Sequence, residues 1–346
     1  MSRFRGFLAS SMYVIAAFVA VVAILATILV AFVSAAASSS SSTAAWLTSD
    51  PSSFTDPQLP QRSRILAADG SVVADVSLYN RVEIGFEQIS PNFVDALLAV
   101  EDTRFFSHAG VDPAGVLRAV VSNSSGSTQG ASTVTQQYVK NARVLAADSG
   151  GDEESVDAAT QQSLSRKVSE ARAALSLERR FTKEQILTKY ANTVYFGRGT
   201  YGLAAASDYY FSTSPELLTI PQAALLAAVV NSPATYDPVA HPKAAKARRD
   251  MVLQKMTTEG FSSSAQSFVG SGLGLDLNPR ANGCASARDG LELYCAAVLD
   301  ALATTDVLSS DPEARKRILL NGGLTVETFL RPGVTTTGVR TARRYL

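Results

Sequence analysis

The chain has 346 residues, with 31 basic and 31 acidic side chains and a formal net charge of zero. Its length predicts about two or three domains, and the balanced charge provides no overall basic field for binding nucleic acid. With only two His and two Cys, the chain also has little capacity for a His/Cys metal site.

A long apolar segment lies at the N-terminus. Residues 7–37 contain no charge and residues 7–33 are almost wholly apolar, which exceeds the roughly 20 residues needed to cross a bilayer. Because Arg3 and Arg5 precede it, the positive-inside rule predicts one transmembrane helix with a cytoplasmic N-terminus and an extracytoplasmic remainder. The alternative is a cleaved signal peptide ending in the small residues of 33–37, although signal cores typically span only about 7 to 15 residues.

The next segments predict a stalk and a β-hairpin. Residues 38–63 are rich in Ser and Ala and then contain Pro, which is typical of a flexible stalk. Residues 65–73 predict two short strands around a turn at Asp69 and Gly70.

The pattern then becomes helical from Ser90 to about Met256. One interruption is predicted at 148–162, which is acidic, contains Gly and Ser and lacks helical periodicity, so we expect a mobile loop. By contrast, 222–230 is apolar on all sides and too short to span a membrane, which predicts a buried core helix.

The C-terminal part is less regular. Residues 257–290 are rich in Ser and Gly, a weaker helix is predicted near 291–302, and 322–329 shows the alternation of a strand.

Glu101 opens the first of four polar segments, residues 101–110. It follows Leu97 and Leu98 by four and three positions, so it extends the buried face of the first helix. A carboxylate in such a position is costly unless it has a partner or a function, and it suits a general acid or base. The alternatives are a side chain turned into solvent or an ion pair with Arg104.

The second segment, residues 130–141, offers glycine, hydroxyl and amide groups together with the point charge of Lys140. Such donors fit a phosphate and sugar surface, and the alternative is a helix start capped by Ser132.

In the third segment, Arg166 and Lys167 lie four and three residues before Glu170, so all three can meet on one helix surface. They could form an ordinary surface ion pair, worth about 0 to 1 kcal/mol, or a basic pair for an anionic leaving group. The fourth segment, residues 186–197, carries aromatic residues that by default belong to the core.

Taken in order, these segments resemble glycosyltransferase family 51, the peptidoglycan-polymerising domain of class A, or bifunctional, penicillin-binding proteins. They resemble its motifs Glu-Asp-x-x-Phe-x-x-His-x-Gly, Gly-x-Ser-Thr-x-x-Gln-Gln, Arg-Lys-x-x-Glu and Ile-Leu-x-x-Tyr-x-Asn-x-x-Tyr-Phe-Gly. A fifth motif fits from Ala223 to Pro238, and the resemblance covers roughly residues 60–260. Gln222 and Ala191 depart from the residues usual in the family, Glu and Leu, at positions that do not affect the two glutamates.

The resemblance implies a mainly α, lysozyme-like, two-lobed glycosyltransferase domain with a short N-terminal β segment, preceded by the transmembrane helix. The implied organisation is a cytoplasmic N-terminus and anchor at 1–37, a stalk at 38–63, the glycosyltransferase domain at 64–260, and a linker region at 261–346. That linker leads towards a transpeptidase domain. We find no ordered Ser-x-x-Lys, Ser-x-Asn and Lys-Thr-Gly set, so we expect no transpeptidase activity from this chain, whether truncated or naturally short.

The implied reaction polymerises lipid II into β-1,4 glycan strands with inversion and release of polyprenyl diphosphate. Glu101 and Glu170 are the implied catalytic residues. The residues implied to bind substrate are Asp102, Phe105, His108, Gly110, Ser132, Thr133, Gln136, Gln137, Lys140, Arg166, Lys167, Tyr190 and Asn192. The resemblance implies no tightly bound cofactor, but a divalent cation such as Mg²⁺ could bind at Glu170.

Two other functions remain open at this point. A lysozyme-like peptidoglycan hydrolase or lytic transglycosylase would also use a catalytic Glu but would not need the cations. An inactive membrane scaffold of cell-wall synthesis would need neither Glu101 nor Glu170. The implied partners are lipid II, the growing glycan, the bacterial plasma membrane, and other cell-wall synthesis and division proteins.

The two cysteines, Cys284 and Cys295, are the only pair the chain offers. Because they follow the predicted anchor, they would lie outside the cytoplasm, where a disulfide can persist. Two free thiols are the alternative.

Overall fold

The computed structural model describes residues 54–331, except for 55, 78, 117, 119–129, 131, 151–152, 162 and 289. The predicted anchor and most of the predicted stalk therefore lie outside the described residues. Among those described, no helix is both long enough and apolar enough to span a bilayer.

The described chain is mainly helical, as the sequence predicted, and carries one small sheet. The α-helices are α1 Pro91–Glu101, α2 Val134–Gly150, α3 Glu153–Thr160, α4 Leu164–Arg180, α5 Lys183–Thr193, α6 Leu203–Phe211, α7 Ile220–Asn231, α8 Pro242–Thr258, α9 Glu292–Thr304 and α10 Pro312–Asn321. Short 3₁₀ helices lie at Phe86–Gln88, Phe105–Ser107, Pro215–Leu217, Ser263–Phe268 and Gly283–Ser286.

Helix α7 forms the centre of the helical core. The predicted burial is confirmed, since every residue from Ala223 to Val229 is fully buried, and α7 packs against both α1 and α8. A capping box fixes its start, with the Thr219 amide donating to Gln222 Oε1 at 3.0 Å. The residues that end these helices, Glu101 on α1 and Asn231 on α7, are therefore positioned by two helices that pack against each other.

Helix α1 begins at Pro91, as predicted, and buries Phe93, Leu97 and Leu98. Ser90 occupies the N-cap position but its hydroxyl donates to the carbonyl of Leu218 at 3.1 Å instead of capping the helix. Helix α1 ends at Glu101, directly after this apolar stripe. Burial of the stripe therefore fixes the position of the Glu101 carboxylate.

The predicted hairpin is present, with β1 Ser63–Leu66 antiparallel to β2 Val72–Val76. Gly70 occupies the turn with φ +77°, a conformation that favours glycine. The predicted C-terminal strand is also present as β3, Thr325–Glu327, and it pairs in parallel with β1. The sheet order is thus β2-β1-β3.

This sheet has its own apolar cluster, separate from the helical core. Ile65 and Val73 from the hairpin pack with Leu291, Cys295 and Leu330 from the C-terminal part. The hairpin and the region after residue 261 therefore share one core, while the domain boundaries expected from the sequence stay a prediction.

The end of the predicted stalk contacts the helical domain through Phe54 and Asp56, while the flexible stalk expected at 38–63 stays a prediction. Phe54 is buried in the helical core. Asp56 accepts a hydrogen bond from the Tyr138 hydroxyl and forms an ion pair with Lys189. We call residues 54 and 56–60 the N-terminal strap.

The prediction of a loop at 148–162 is wrong for most of that segment. Helix α2 continues to Gly150 and α3 spans Glu153–Thr160. The segment follows Ala146 and Ala147 and contains Ala158 and Ala159, and alanine is the strongest helix former. Local propensity thus outweighs the loop-like composition.

A disulfide joins Cys284 to Cys295 across 11 positions. It ties the 3₁₀ helix at Gly283–Ser286 to the first turn of α9, within the small cluster and away from the helical core.

Replacing both cysteines by Ala should lower the local stability of α9 by about 2 to 3 kcal/mol at most, as the chain-entropy model gives for so short a loop. Hydrogen exchange should therefore accelerate in α9 while α7 keeps its protection. Unchanged exchange in α9 would show that the disulfide does not stabilise this cluster.

Candidate active site

Glu101 lies where three helices converge. Its Oε2 accepts a hydrogen bond from Gln137 Nε2 of α2 at 2.7 Å, and its Oε1 accepts one from Asn231 Nδ2 of α7 at 3.3 Å. The alternative of an ion pair with Arg104 is wrong, because Arg104 binds Asp112 instead. The carboxylate is thus held by neutral amides and not by a cation.

The orientation of Gln137 is fixed from its other side. The hydroxyl of Tyr190, which is fully buried, donates to Gln137 Oε1 at 3.2 Å, so the amide NH₂ must face Glu101. Burial, and secondarily the charge of Glu101, raise the pKa of Tyr190 well above its ordinary value. Tyr190 therefore remains a hydrogen-bond donor.

Asp102 supports the start of α2. Its buried carboxylate accepts a hydrogen bond from the backbone N–H of Val134 at 3.0 Å and contacts His108 Nε2 at 2.9 Å. The Gly110 N–H donates to His108 Nδ1 at 3.2 Å. The proton that fits this arrangement is on Nε2, where it points at Asp102.

Thr133 and Gln136 complete the same helix start. The Thr133 N–H donates to Gln136 Oε1 at 3.0 Å, and the Gln136 N–H donates to Thr133 Oγ1 at 3.2 Å, which is a capping box. The Thr133 hydroxyl also donates to the Gly110 carbonyl at 2.7 Å. Thr133, and not Ser132, is therefore the cap, so the alternative built on Ser132 is wrong.

Asp112, which follows the 102–110 loop, is held by Arg104. Burial opposes ionisation of Asp112, but hydrogen bonds from Arg104 outweigh it and hold the pKa of this carboxyl below its usual range.

Glu170 is the centre of a second polar cluster. Its side chain is only 1% exposed, Arg166 pairs with Oε1, and the Lys167 ammonium lies 3.0 Å from Oε2. Lys167 also donates to the hydroxyl of Ser132 at 3.0 Å. This is not an ordinary surface ion pair, because the carboxylate is removed from water and needs both cations.

Arg143 belongs to this cluster although the motifs do not single it out. It donates from Nη2 to Ser169 Oγ at 3.0 Å. Burial lowers its pKa, and the charges of Glu170 and Arg166 act on it in opposite directions. Its position three residues after Lys140 was the available signal, since such pairs share a helix surface.

The cations of this cluster outnumber its carboxylate. Among the described residues, Arg166 and Lys167 pair with Glu170 and Arg143 interacts with it electrostatically, while Lys140 lies three residues before Arg143 on α2. Lys140 is partly exposed and forms no hydrogen bond or ion pair with the described residues. Excess positive charge of this kind attracts an anionic ligand.

Phe105 and Asn192, both predicted to bind substrate, make contacts within the protein. Phe105 is fully buried. Asn192 donates from Nδ2 to the Ile84 carbonyl at 2.8 Å and accepts from the Ile84 N–H at 3.0 Å. The amide of Asn192 thus fixes the chain before α1.

The donor set at Glu170 does not fit a resident Mg²⁺ ion. Both carboxylate oxygens already face cations, whereas Mg²⁺ requires several oxygen ligands. In the described part of the chain, no group of three or more His, Cys, Asp or Glu side chains could hold a metal ion.

Comparison with known proteins identifies the family to which most of the helical part of the chain is similar. The family model described as Transglycosylase matches residues 69–257. Penicillin-binding protein 1F of Bacillus subtilis is 35% identical over 218 residues, covering 62% of this chain and 29% of that protein. Penicillin-binding protein 1A of Mycolicibacterium smegmatis is 40% identical over 225 residues, covering 64% of this chain and 27% of that protein.

Among solved structures, penicillin-binding protein 1A from Haemophilus influenzae is 17% identical, with a TM-score of 0.37, covering 71% of this chain and 25% of that one. The chain spans about a quarter to a third of the length of the curated relatives it matches.

Replacing Gly110 by Ala should destabilise the fold by about 1 to 3 kcal/mol, as is typical of a strained backbone position. Gly110 has φ +93°, and an added Cβ would lie 2.7 Å from the Ala174 carbonyl. Chemical denaturation measures the change. Gly130→Ala is the matched control, because a Cβ there has no neighbour within 4 Å among the residues that the structure describes; equal stability of the two variants would contradict the argument.

Proposed function

Because the chain belongs to the transglycosylase family, we propose that it is a peptidoglycan glycosyltransferase that polymerises lipid II. The growing glycan on its polyprenyl diphosphate is the donor, and lipid II is the acceptor. The observation that carries this proposal is the pairing of an amide-held carboxylate, Glu101, with a separate group of excess cations around Glu170. Helix α2 contributes to both.

Glu101 acts as the general base. The amides of Gln137 and Asn231 orient it without neutralising its charge, so it can accept the proton of the acceptor's sugar 4-hydroxyl. The acceptor oxygen then attacks the anomeric carbon of the donor from the face opposite the diphosphate. A β-1,4 bond forms, the bond to the diphosphate oxygen breaks, and the configuration inverts through an oxocarbenium-like transition state.

The cations stabilise the leaving diphosphate, which departs with the bonding electron pair. Lys140, Arg143, Arg166 and Lys167 provide charged donors as negative charge develops on it. Glu170 keeps Arg166 and Lys167 in place.

The same proposal gives the arrangement at the membrane. Residues 7–33 would anchor the chain in the bacterial plasma membrane in a single pass, with the N-terminus inside and a two-lobed, lysozyme-like catalytic domain outside. Anchoring raises the effective concentration of a lipid-linked substrate. We also propose that this chain contacts other cell-wall synthesis and division proteins.

A hydrolase or lytic transglycosylase of similar fold is disfavoured by the charge of the second cluster. Cleaving a glycan releases no diphosphate, so the excess of cations on α2 and α4 would have no anion to stabilise. An inactive scaffold is disfavoured because it has no use for a carboxylate oriented by Gln137 and Asn231.

Glu101→Gln tests the base. Incubated with fluorescent lipid II, the wild-type protein should form polymer, and the variant should lose about 10²- to 10⁴-fold in rate, as expected for removal of a general base. Its melting temperature should stay close to that of wild type. Retention of more than half of the turnover would remove Glu101 from this role.

Lys140→Ala and Arg143→Ala test the diphosphate site. Each should raise the KM for the lipid-linked donor about tenfold or more, as expected for loss of one charge-assisted hydrogen bond, with a small change in melting temperature. Lys243→Ala, an exposed lysine at the start of α8, is the control. A large loss of stability with normal kinetics would instead indicate a structural role.

A further inference from the structure

A partly buried ion pair, Glu178 and Lys183, contacts the 102–110 loop and lies outside the residues assigned so far. Lys183 Nζ, in the first turn of α5, is 2.8 Å from Glu178 Oε1, near the end of α4. The Glu178 side chain is 5% exposed and that of Lys183 is 21% exposed. Removing both charges from water is costly, so such a pair is weak evidence of stabilisation by itself.

The lysine of this pair binds the loop that follows Glu101. Its ammonium donates to the His108 carbonyl at 2.6 Å and lies 4.3 Å from the centroid of the Phe105 ring, a cation–π contact. Lys183 thus fixes the loop at two points, one on each side of Ser107.

The glutamate of the pair binds the start of α2. The hydroxyl of Thr135, which is fully buried, donates to Glu178 Oε1 at 2.7 Å. Thr135 follows Val134, whose N–H is held by Asp102. The pair therefore joins four pieces of chain: the 102–110 loop, the start of α2, the end of α4 and the start of α5.

Both bound pieces flank the proposed base. Asp102 directly follows Glu101, and Gln137, which donates to Glu101, lies two residues after Thr135 on α2. A small displacement of the α2 start relative to the loop would change the distance between Gln137 and Glu101. In enzymes, misplacement by about 1 Å can cost roughly 10²-fold in rate.

We propose that Glu178 and Lys183 are positioning residues, which hold the start of α2 against the 102–110 loop so that Gln137 orients Glu101. This inference rests on the proposed function for its catalytic consequence. Its structural half, a shared support of loop and helix, does not depend on that function.

The chain contains a matched control on the same helix. Lys189 also forms an ion pair, with Asp56, and also lies over an aromatic ring, that of Phe181 at 4.5 Å. Its side chain is 26% exposed, close to the value for Lys183. It binds the N-terminal strap and not the catalytic loop, so it tests the loss of a comparable ion pair elsewhere.

The experiment compares Lys183→Met with Lys189→Met in the full chain, using fluorescent lipid II. Lys183→Met should lower kcat on the order of 10- to 100-fold while the KM for the lipid-linked donor changes less than threefold. Lys189→Met should keep kcat within about twofold of wild type at a similar loss of melting temperature. Lys183→Arg, which keeps the charge and donors, should retain most of kcat.

Glu178→Gln preserves the side-chain shape and an acceptor for Thr135, and it replaces Lys183→Met if that variant does not fold. The double variant Glu178→Gln/Lys183→Met should lose no more kcat than either single variant, because both remove one shared support. Additive losses, or equal kcat losses in Lys183→Met and Lys189→Met, would overturn the proposal.

Hydrogen exchange provides a readout that needs no catalysis. Amides 134–137 should exchange faster in Lys183→Met than in wild type, and at the wild-type rate in Lys189→Met. If wild type forms no polymer but this difference is seen, the proposed function fails and the shared support stands. If polymer forms but the two variants exchange equally, the positioning role fails.

Discussion

The hydrogen bond from the Val134 N–H to Asp102 is the interaction on which the site depends. It attaches the positive end of the α2 macrodipole to a carboxylate one residue after Glu101. The base and the helix that orients it are thereby connected through a single buried side chain. His108 and Thr133 add hydrogen bonds around the same point, so the loop and the helix start form one unit.

From that fixed start, α2 carries two chemically different functions. Gln137 meets Glu101 on one turn, while Lys140 and Arg143 follow at steps of three residues towards Glu170. The side chains that bind Glu101 are uncharged amides, and the second region has an excess of cations among the described residues. A base should keep its proton affinity and a leaving diphosphate needs charge, so the two regions must differ.

Much of the helical framework could be predicted from the sequence. The stripe that ends at Glu101 and the apolar run of α7 both follow from periodicity, and the short strands follow from alternation around Gly70. What periodicity could not give is the partner of each element. The parallel pairing of β3 with β1 joins residues more than 250 positions apart, and no local pattern records it.

The candidate site shows the same division between local and long-range information. Spacing placed Arg166 and Lys167 beside Glu170, but burial to 1% exposure, which makes that contact more than a surface pair, depends on packing. The sequence does not single out Arg143 or Glu178, because a single charged residue on a helix is ordinary until its surroundings are known. Asn192 and Phe105 lie within motifs but make the contacts seen here inside the protein, so motif membership alone does not separate groups that contact substrate from groups that hold them in place.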